Sequence, residues 1–220
     1  MLYRVPRPVA GPDRARRARV LERSARREEL LDAADRIVQR DGPAASMRAM
    51  AAEAGITKPV LYRYFGDKNG LLAALADRHT LDLLERLRAA LRSSDHRRGR
   101  AAATIDAYLR SIEDRPQVYR FLLYGPAAAE AGLPDRMQSF TRRIGDELAE
   151  GIVYDLQLDE AKRPLAAAWA HGIVGMVQAA GDHWLATRDL SRPEMVDALT
   201  GLLWGQFARI PDLNPAVASP

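Results

Sequence analysis

The spacing of apolar positions along this chain is helical, and it is most informative over residues 46–65, SMRAMAAEAGITKPVLYRYF. Met47, Met50, Ala51 and Ala54 recur every three or four residues, Gly55 then ends that helix, and Thr57 stands where it can cap a second one. Two short helices across a tight turn make a helix-turn-helix. In the second, Leu61 and Phe65 fall on the side facing the first, which leaves Thr57, Lys58, Pro59, Val60, Tyr62, Arg63 and Tyr64 outside. Pro59 lies in the first turn, where its missing N–H is no loss.

The same reading predicts an all-α chain. Residues 24–40 form a helix with Leu30, Ala33, Ala34 and Ile37 as its buried stripe, Glu28 and Glu29 near its positive end, and Asp41-Gly42-Pro43 as its stop. Residues 67–91 form a long helix with Leu71, Leu72, Leu75, Leu83, Leu84, Leu87 and Leu91 along its apolar side. A polar connector, SSDHRRGR, follows. Helices are then expected over 101–113, 116–124 and 135–154, with an irregular break over 125–134. The helix over 159–187 carries bulky Leu165, Trp169, Ile173, Met176, Val177, Ala180 and Trp184 on one stripe and small Ala168, Gly172, Gly175 and Ala179 on another. After Ser191-Arg192-Pro193-Glu194, a capping box with an early proline, the final helix repeats the small stripe with Ala198, Gly201, Gly205 and Ala208. These two faces either pack on each other or meet their two-fold mates in a dimer.

Four divisions follow. Residues 1–23, with seven arginines against two acids and several breakers, are expected to be a disordered basic arm whose Arg14, Arg16, Arg17 and Arg19 either reach a minor groove and phosphates or merely keep a tail solvated. Residues 24–66 form the helix-turn-helix domain, 67–210 a larger helical domain, and 211–220 a loose tail. Residues 1–68 carry 15 basic and 9 acidic side chains, net +6, whereas residues 69–220 carry 18 and 20, net −2. A polyanion would therefore meet the N-terminal end, in a salt-dependent way. The chain has no cysteine, which excludes disulfides and thiolate zinc sites and suits a reducing cytoplasm. No apolar run reaches membrane length and the N-terminus lacks a signal-peptide core, so a cytoplasmic protein without a membrane partner is expected.

From about Arg27 to Leu75, and above all over ITKPVLYRYFGDKNGLL, the sequence resembles the TetR family of bacterial transcription regulators. That resemblance implies a three-helix N-terminal helix-turn-helix domain joined to an α-helical ligand-binding and dimerisation domain. It implies a homodimer on a pseudo-palindromic operator in double-stranded DNA, most simply as a repressor, and a long helix from Asp67 that tilts when an effector binds. Phosphate-positioning roles fall to Ser46, Tyr62, Tyr64 and Lys68, and base reading to Arg48, Thr57, Lys58, Pro59, Val60 and Tyr62. Tyr64 departs from the histidine that many members have there, and Lys68 has the plainer reading of an exposed surface cation.

In the larger domain the resemblance implies a pocket, for which Tyr108, Phe121, Tyr124, Met137, Phe140, Trp169, Ile173 and Met176 are the expected lining; each also suits ordinary core. A lipophilic effector fits such a wall. The segments QVYRFLLYGPAAAE, HGIVGMVQAAGDHWL and LLWGQFARIP resemble the body of acyl-CoA-responsive fatty-acid regulators in the family, which makes a long-chain acyl-CoA the first ligand to test. His171 and His183 lie about 120° apart on one helix, which argues against a shared metal. No cofactor and no metal are expected. An enzyme with an appended DNA-binding head is the competing class, against which stands the lack of a phosphate-cradling loop, nucleophile elbow or HExxH motif. A ligand-independent architectural DNA binder is the other.

Overall fold

The computed structural model describes residues 12–94, 96–124 and 129–207. Among these there are nine α-helices and no strand: α1 (Pro12–Asp41), α2 (Met47–Glu53), α3 (Lys58–Phe65), α4 (Lys68–Leu91), α5 (Arg97–Asp114), α6 (Pro116–Tyr124), α7 (Leu133–Leu156), α8 (Arg163–Thr187) and α9 (Arg192–Phe207). Short 3-10 turns at Gly42–Ala44 and Glu160–Lys162 join α1 to α2 and lead into α8.

The first helix corrects the expected arm. It starts at Pro12 rather than at Ser24, so residues 12–23 are helical and not disordered; residues 1–11 lie outside the described part. Between Asp13 and Asp41 there is neither proline nor glycine, and the run is rich in Ala, Arg, Glu and Leu, all strong helix formers. Pro12 suits the first turn. Residues 16–25 of this extension are exposed, Val20 and Leu21 included. Glu28 and Glu29 consequently sit mid-helix, not at its positive end, and Glu28 instead pairs with Arg78 of α4.

The N-terminal core gathers Leu30, Ile37 and Val38 of α1, Met50 of α2, Leu61 and Phe65 of α3, and Leu71, Leu72 and Leu75 of α4. It does not stop at the domain boundary. Val118, Phe121 and Leu122 of α6 and Leu133 of α7 belong to the same cluster. Gly42 lies at this contact: its φ of +55° is open to glycine at little cost, and a Cβ there would come within 2.6 Å of Oε1 at the end of the Gln117 side chain on α6.

A second core forms between α5, α8 and α9 from Ile105, Leu109, Ile112, Val177, Trp184, Leu185, Met195, Val196 and Leu199. The last helix starts with the expected box: the Ser191 N–H and hydroxyl both reach Glu194, at 2.7 and 2.6 Å. Two of the expected boundaries shift by a few residues, α5 taking in Arg97 to Arg100 of the connector and α7 beginning at Leu133.

Candidate DNA-reading helix and ligand cavity

The nine residues expected to meet DNA come from the N-terminal ends of α2 and α4 and from the length of α3. Ser46 caps α2, its Oγ accepting the Ala49 N–H at 3.2 Å, so its hydroxyl is already engaged while still exposed. Thr57 is the N-cap residue of α3 but makes no side-chain capping bond. Arg48, Lys58, Pro59 and Arg63 are exposed; Val60, Tyr62 and Tyr64 are half-buried, the two tyrosines packing against the N-terminal core. Lys58 Nζ lies 5.4 Å from the Tyr62 ring centroid, a cation over an aromatic face that holds both side chains on the outer side of α3. On the inner side Leu61 is fully buried and the Phe65 ring takes the Arg27 guanidinium at 4.8 Å.

Lys68 opens α4, whose N-terminus is capped by Asp67 Oδ1 accepting the Gly70 N–H at 2.7 Å. The Lys68 ammonium is not idle: it donates to Glu130 at 2.6 Å, and that hydrogen bond, with the attraction of the ammonium, holds the Glu130 carboxyl below its ordinary range.

The larger domain encloses a cavity of about 850 Å³. Its wall is mostly apolar. Leu83, Leu84, Leu87 and Leu91 come from α4, Thr104, Ile105, Tyr108 and Ile112 from α5, Met137, Phe140, Ile144 and Leu148 from α7, and Ile173 and Val177 from α8, with Trp204 of α9 at one side. Of the eight expected lining residues, Tyr108, Met137, Phe140 and Ile173 are in the wall. Four are not. Phe121 is fully buried in the N-terminal core because α6 turns that face toward α1. Tyr124 is largely exposed and donates to Asp182 Oδ2 at 2.9 Å. Met176 packs on the α5/α8/α9 core, and Trp169 is half-buried outside the wall. The α4 leucines were legible as an apolar stripe but not as a cavity wall, and Tyr119 of α6 was missed.

Two polar networks border this cavity. In one, Tyr108 and Tyr119 touch oxygen to oxygen at 3.2 Å, Tyr119 donates to Asp182 of α8, and Asp182 also receives Tyr124. Burial pushes the Tyr108 and Tyr119 phenols well above their ordinary values, so both stay protonated. In the other, Asp35 of α1 holds His79 Nε2 of α4 at 2.8 Å with Oδ1 and Arg115 Nη1, in the α5/α6 turn, at 3.2 Å with Oδ2. Arg78, next along α4, binds Asp32 at 2.6 Å and Glu28 at 2.7 Å on the same face of α1.

The residues of the expected dimer face all point outward among the described residues. Ala168, Gly172, Gly175 and Ala179 of α8 and Ala198, Gly201 and Gly205 of α9 are exposed, and a Cβ at any of these four glycines would meet nothing within 4 Å. The two small faces therefore do not cover each other within the chain. Ala208 lies outside the described residues. His171 bonds Asp146 of α7 at 3.1 Å, and among the described residues no group of His, Asp and Glu is arranged to hold a metal ion. Nor is any described helix long and apolar enough to cross a membrane.

Two family profiles match the chain. That of bacterial regulatory proteins, tetR family, covers residues 30–75, and that of the tetracyclin repressor-like C-terminal domain covers residues 86–218. The chain belongs to the TetR family. It is thus a helix-turn-helix transcriptional regulator, in line with relatives named as HTH-type transcriptional regulators. An uncharacterised HTH-type transcriptional regulator of Mycobacterium tuberculosis H37Rv is 31% identical over 96% of this chain and 89% of its own length. The HTH-type transcriptional activator FasR of Mycolicibacterium smegmatis is 30% identical, covering 93% of this chain and 92% of the relative. Among solved structures, a TetR-like transcriptional regulator from Rhodococcus sp. RHA1 superposes with a TM-score of 0.63 at 25% identity over 84% of this chain and 96% of that one. The tetR-family profile thus spans α2, α3 and the start of α4, the DNA-binding end, and the C-terminal-domain profile spans the helical body.

Proposed function

We propose that this TetR-family chain is a ligand-responsive repressor that binds a pseudo-palindromic operator as a homodimer and is released by a lipophilic small molecule. The observation that carries the reading is the double service of α4. Its first turn follows directly on the reading helix, while Leu83, Leu84, Leu87 and Leu91 farther along it form one side of the cavity. A ligand that prefers a different tilt of α4 changes the separation of two reading heads and lowers affinity for a site that needs both at once.

Ser46, Tyr62, Tyr64 and Lys68 are assigned to phosphate positioning and Arg48, Thr57, Lys58, Pro59, Val60 and Tyr62 to base edges. The open small-residue faces of α8 and α9 support pairing into a four-helix contact. Repression follows the repressor-like description of the matching C-terminal profile, although FasR is an activator, so the operator's place relative to the promoter sets the sign. The cytoplasm, where the chromosome is, suits this work.

The experiment is selection of bound fragments from the source genome by the purified chain, then titration of a selected fragment with and without acyl-CoAs of several lengths. Release of DNA by an acyl-CoA supports the full reading. Tight binding to a palindromic fragment that no lipophilic compound alters would instead favour a ligand-independent architectural binder, and turnover of a bound compound would favour an enzyme.

A further inference from the structure

The charged residues in the cavity wall differ in where their partners are. Arg86 pairs with Asp82 at 3.0 Å and Arg88 with Glu147 at 2.6 Å, and all four of these residues are part of the wall. Arg97 donates to the backbone carbonyl of Asp155, also in the wall. His79 and Arg115 are the exception. Both line the cavity, yet the carboxylate that holds them, Asp35, lies outside the wall on α1 of the DNA-binding domain.

The cavity follows α5 from Arg97 to Arg115, a path of roughly 27 Å for 18 residues at helical rise. Ile105, Tyr108 and Ile112 line its middle, and His79 with Arg115 marks the end beside α1. Asp35 spans that end with one oxygen on each donor. An incoming carboxylate reproduces this two-oxygen arrangement without new geometry, and charge-assisted bonds of this kind are among the stronger ones available to a ligand. Asp114, exposed at the end of α5, is the neighbouring negative charge that such a group must tolerate.

We infer that the α1 end of the cavity is a carboxylate subsite: a long apolar acid lies along the leucine wall with its carboxylate on Arg115 and His79 in place of Asp35. The inference rests on the ligand-responsive reading above and specifies the effector's head group and its coupling to DNA. Displaced, Asp35 keeps only the more distant charge of Arg78. Its side chain being mostly buried, it regains solvation by a small shift of α1 away from the α5/α6 turn, with Arg78 still holding α1 to α4. Because α1 carries Leu30, Ile37 and Val38 of the core on which α2 and α3 sit, that shift moves the reading helix.

The test compares palmitate, hexadecanol and palmitoyl-CoA on the full chain, by calorimetric titration and by release of a selected DNA fragment. Palmitate is expected to bind at least about ten-fold tighter than hexadecanol and to release DNA, charge-assisted bonds being about twice as strong as neutral ones. Arg115→Gln should bring palmitate down to the hexadecanol level and leave hexadecanol unchanged, and Asp35→Asn should tighten palmitate. Equal affinity of wild type for palmitate and hexadecanol, a measurement that needs no variant, overturns the subsite. So does palmitoyl-CoA acting alone and unaffected by Arg115→Gln, which would leave the ligand-responsive reading standing. If none of the three binds or releases DNA, the lipophilic-effector reading falls and the subsite with it.

Discussion

The Lys68 ammonium lies 2.6 Å from the Glu130 carboxylate, so the cation assigned to a DNA phosphate is already paired with an acid contributed from beyond α6. A phosphate and Glu130 compete for one group. Exposed ion pairs hold little, so a phosphate placed there would displace Glu130 and gain less by the exchange. Glu130→Gln should tighten every duplex alike, by about five-fold at most, whereas Lys68→Ala should weaken every duplex alike and lower the slope of log affinity against log salt by about one charge. Titrations of fluorescent duplexes across a salt series read both effects; an unchanged slope for Lys68→Ala removes the phosphate assignment.

Arg48 is exposed at the start of α2 and pairs with no acid in the hydrogen bonds of the described residues, which leaves it available to a guanine edge. Arg48→Ala should cost about 1–3 kcal/mol on operator DNA and relax one base preference, with a smaller effect on random sequence. Competition binding against single-base operator variants gives the answer, and an unchanged operator-to-random ratio means that Arg48 reads nothing.

Leu61 is fully buried on the inner side of the reading helix. Leu61→Ala should destabilise the chain by about 2–5 kcal/mol, the usual cost of an unfilled core site. Urea unfolding measures it. Loss of DNA binding should follow in step with the loss of folded protein, since the exposed side of α3 is untouched.

Gly175 and Gly201 face open space, so a long side chain fits at either position within one chain. Replacing helical glycine by arginine even favours the helix, by about 1 kcal/mol. Gly175→Arg with Gly201→Arg should therefore yield a folded monomer that no longer binds a two-half-site operator. Sedimentation and thermal melting separate the outcomes: a double variant that sediments as wild type places the dimer contact elsewhere.

Burial alone would raise the Asp35 carboxyl, but its hydrogen bond with His79 and the positive charges of His79, Arg115 and Arg78 leave it below its ordinary value of 3.8. A lowered folded value means that the charged form favours folding. Its contribution is complete above pH 3.8 and is lost as pH falls through the lower folded value. Asp35→Asn should make stability less dependent on pH in that acid window and lower it at neutral pH. Acid titration of urea midpoints for the two chains shows whether their curves converge below that window.

The helix-turn-helix was legible because its signals are local: a capping Ser46, Gly55 at φ +66° after α2, and two inward side chains four residues apart. The cavity wall was only half legible. Periodicity says that Phe121 is inward on α6 but not which neighbour it meets, and that neighbour is α1. The same limit hid Leu83 and Leu87, whose stripe reads alike whether it meets side chains or open volume. The stretch over 12–23 was misjudged because the prolines before residue 12 coloured the whole segment, while the following residues contain no breaker. The Asp35, His79 and Arg115 group joins positions 44 and 80 residues apart, a relation that no spacing rule can supply.

At Gly42 the smallest possible residue lets the end of the Gln117 side chain occupy the place where any other side chain would begin. Any larger residue there would have to push that flexible end aside and hold a left-handed backbone that glycine alone adopts at little cost, so the seam between the N-terminal helices and the body is tied to the one residue without a side chain.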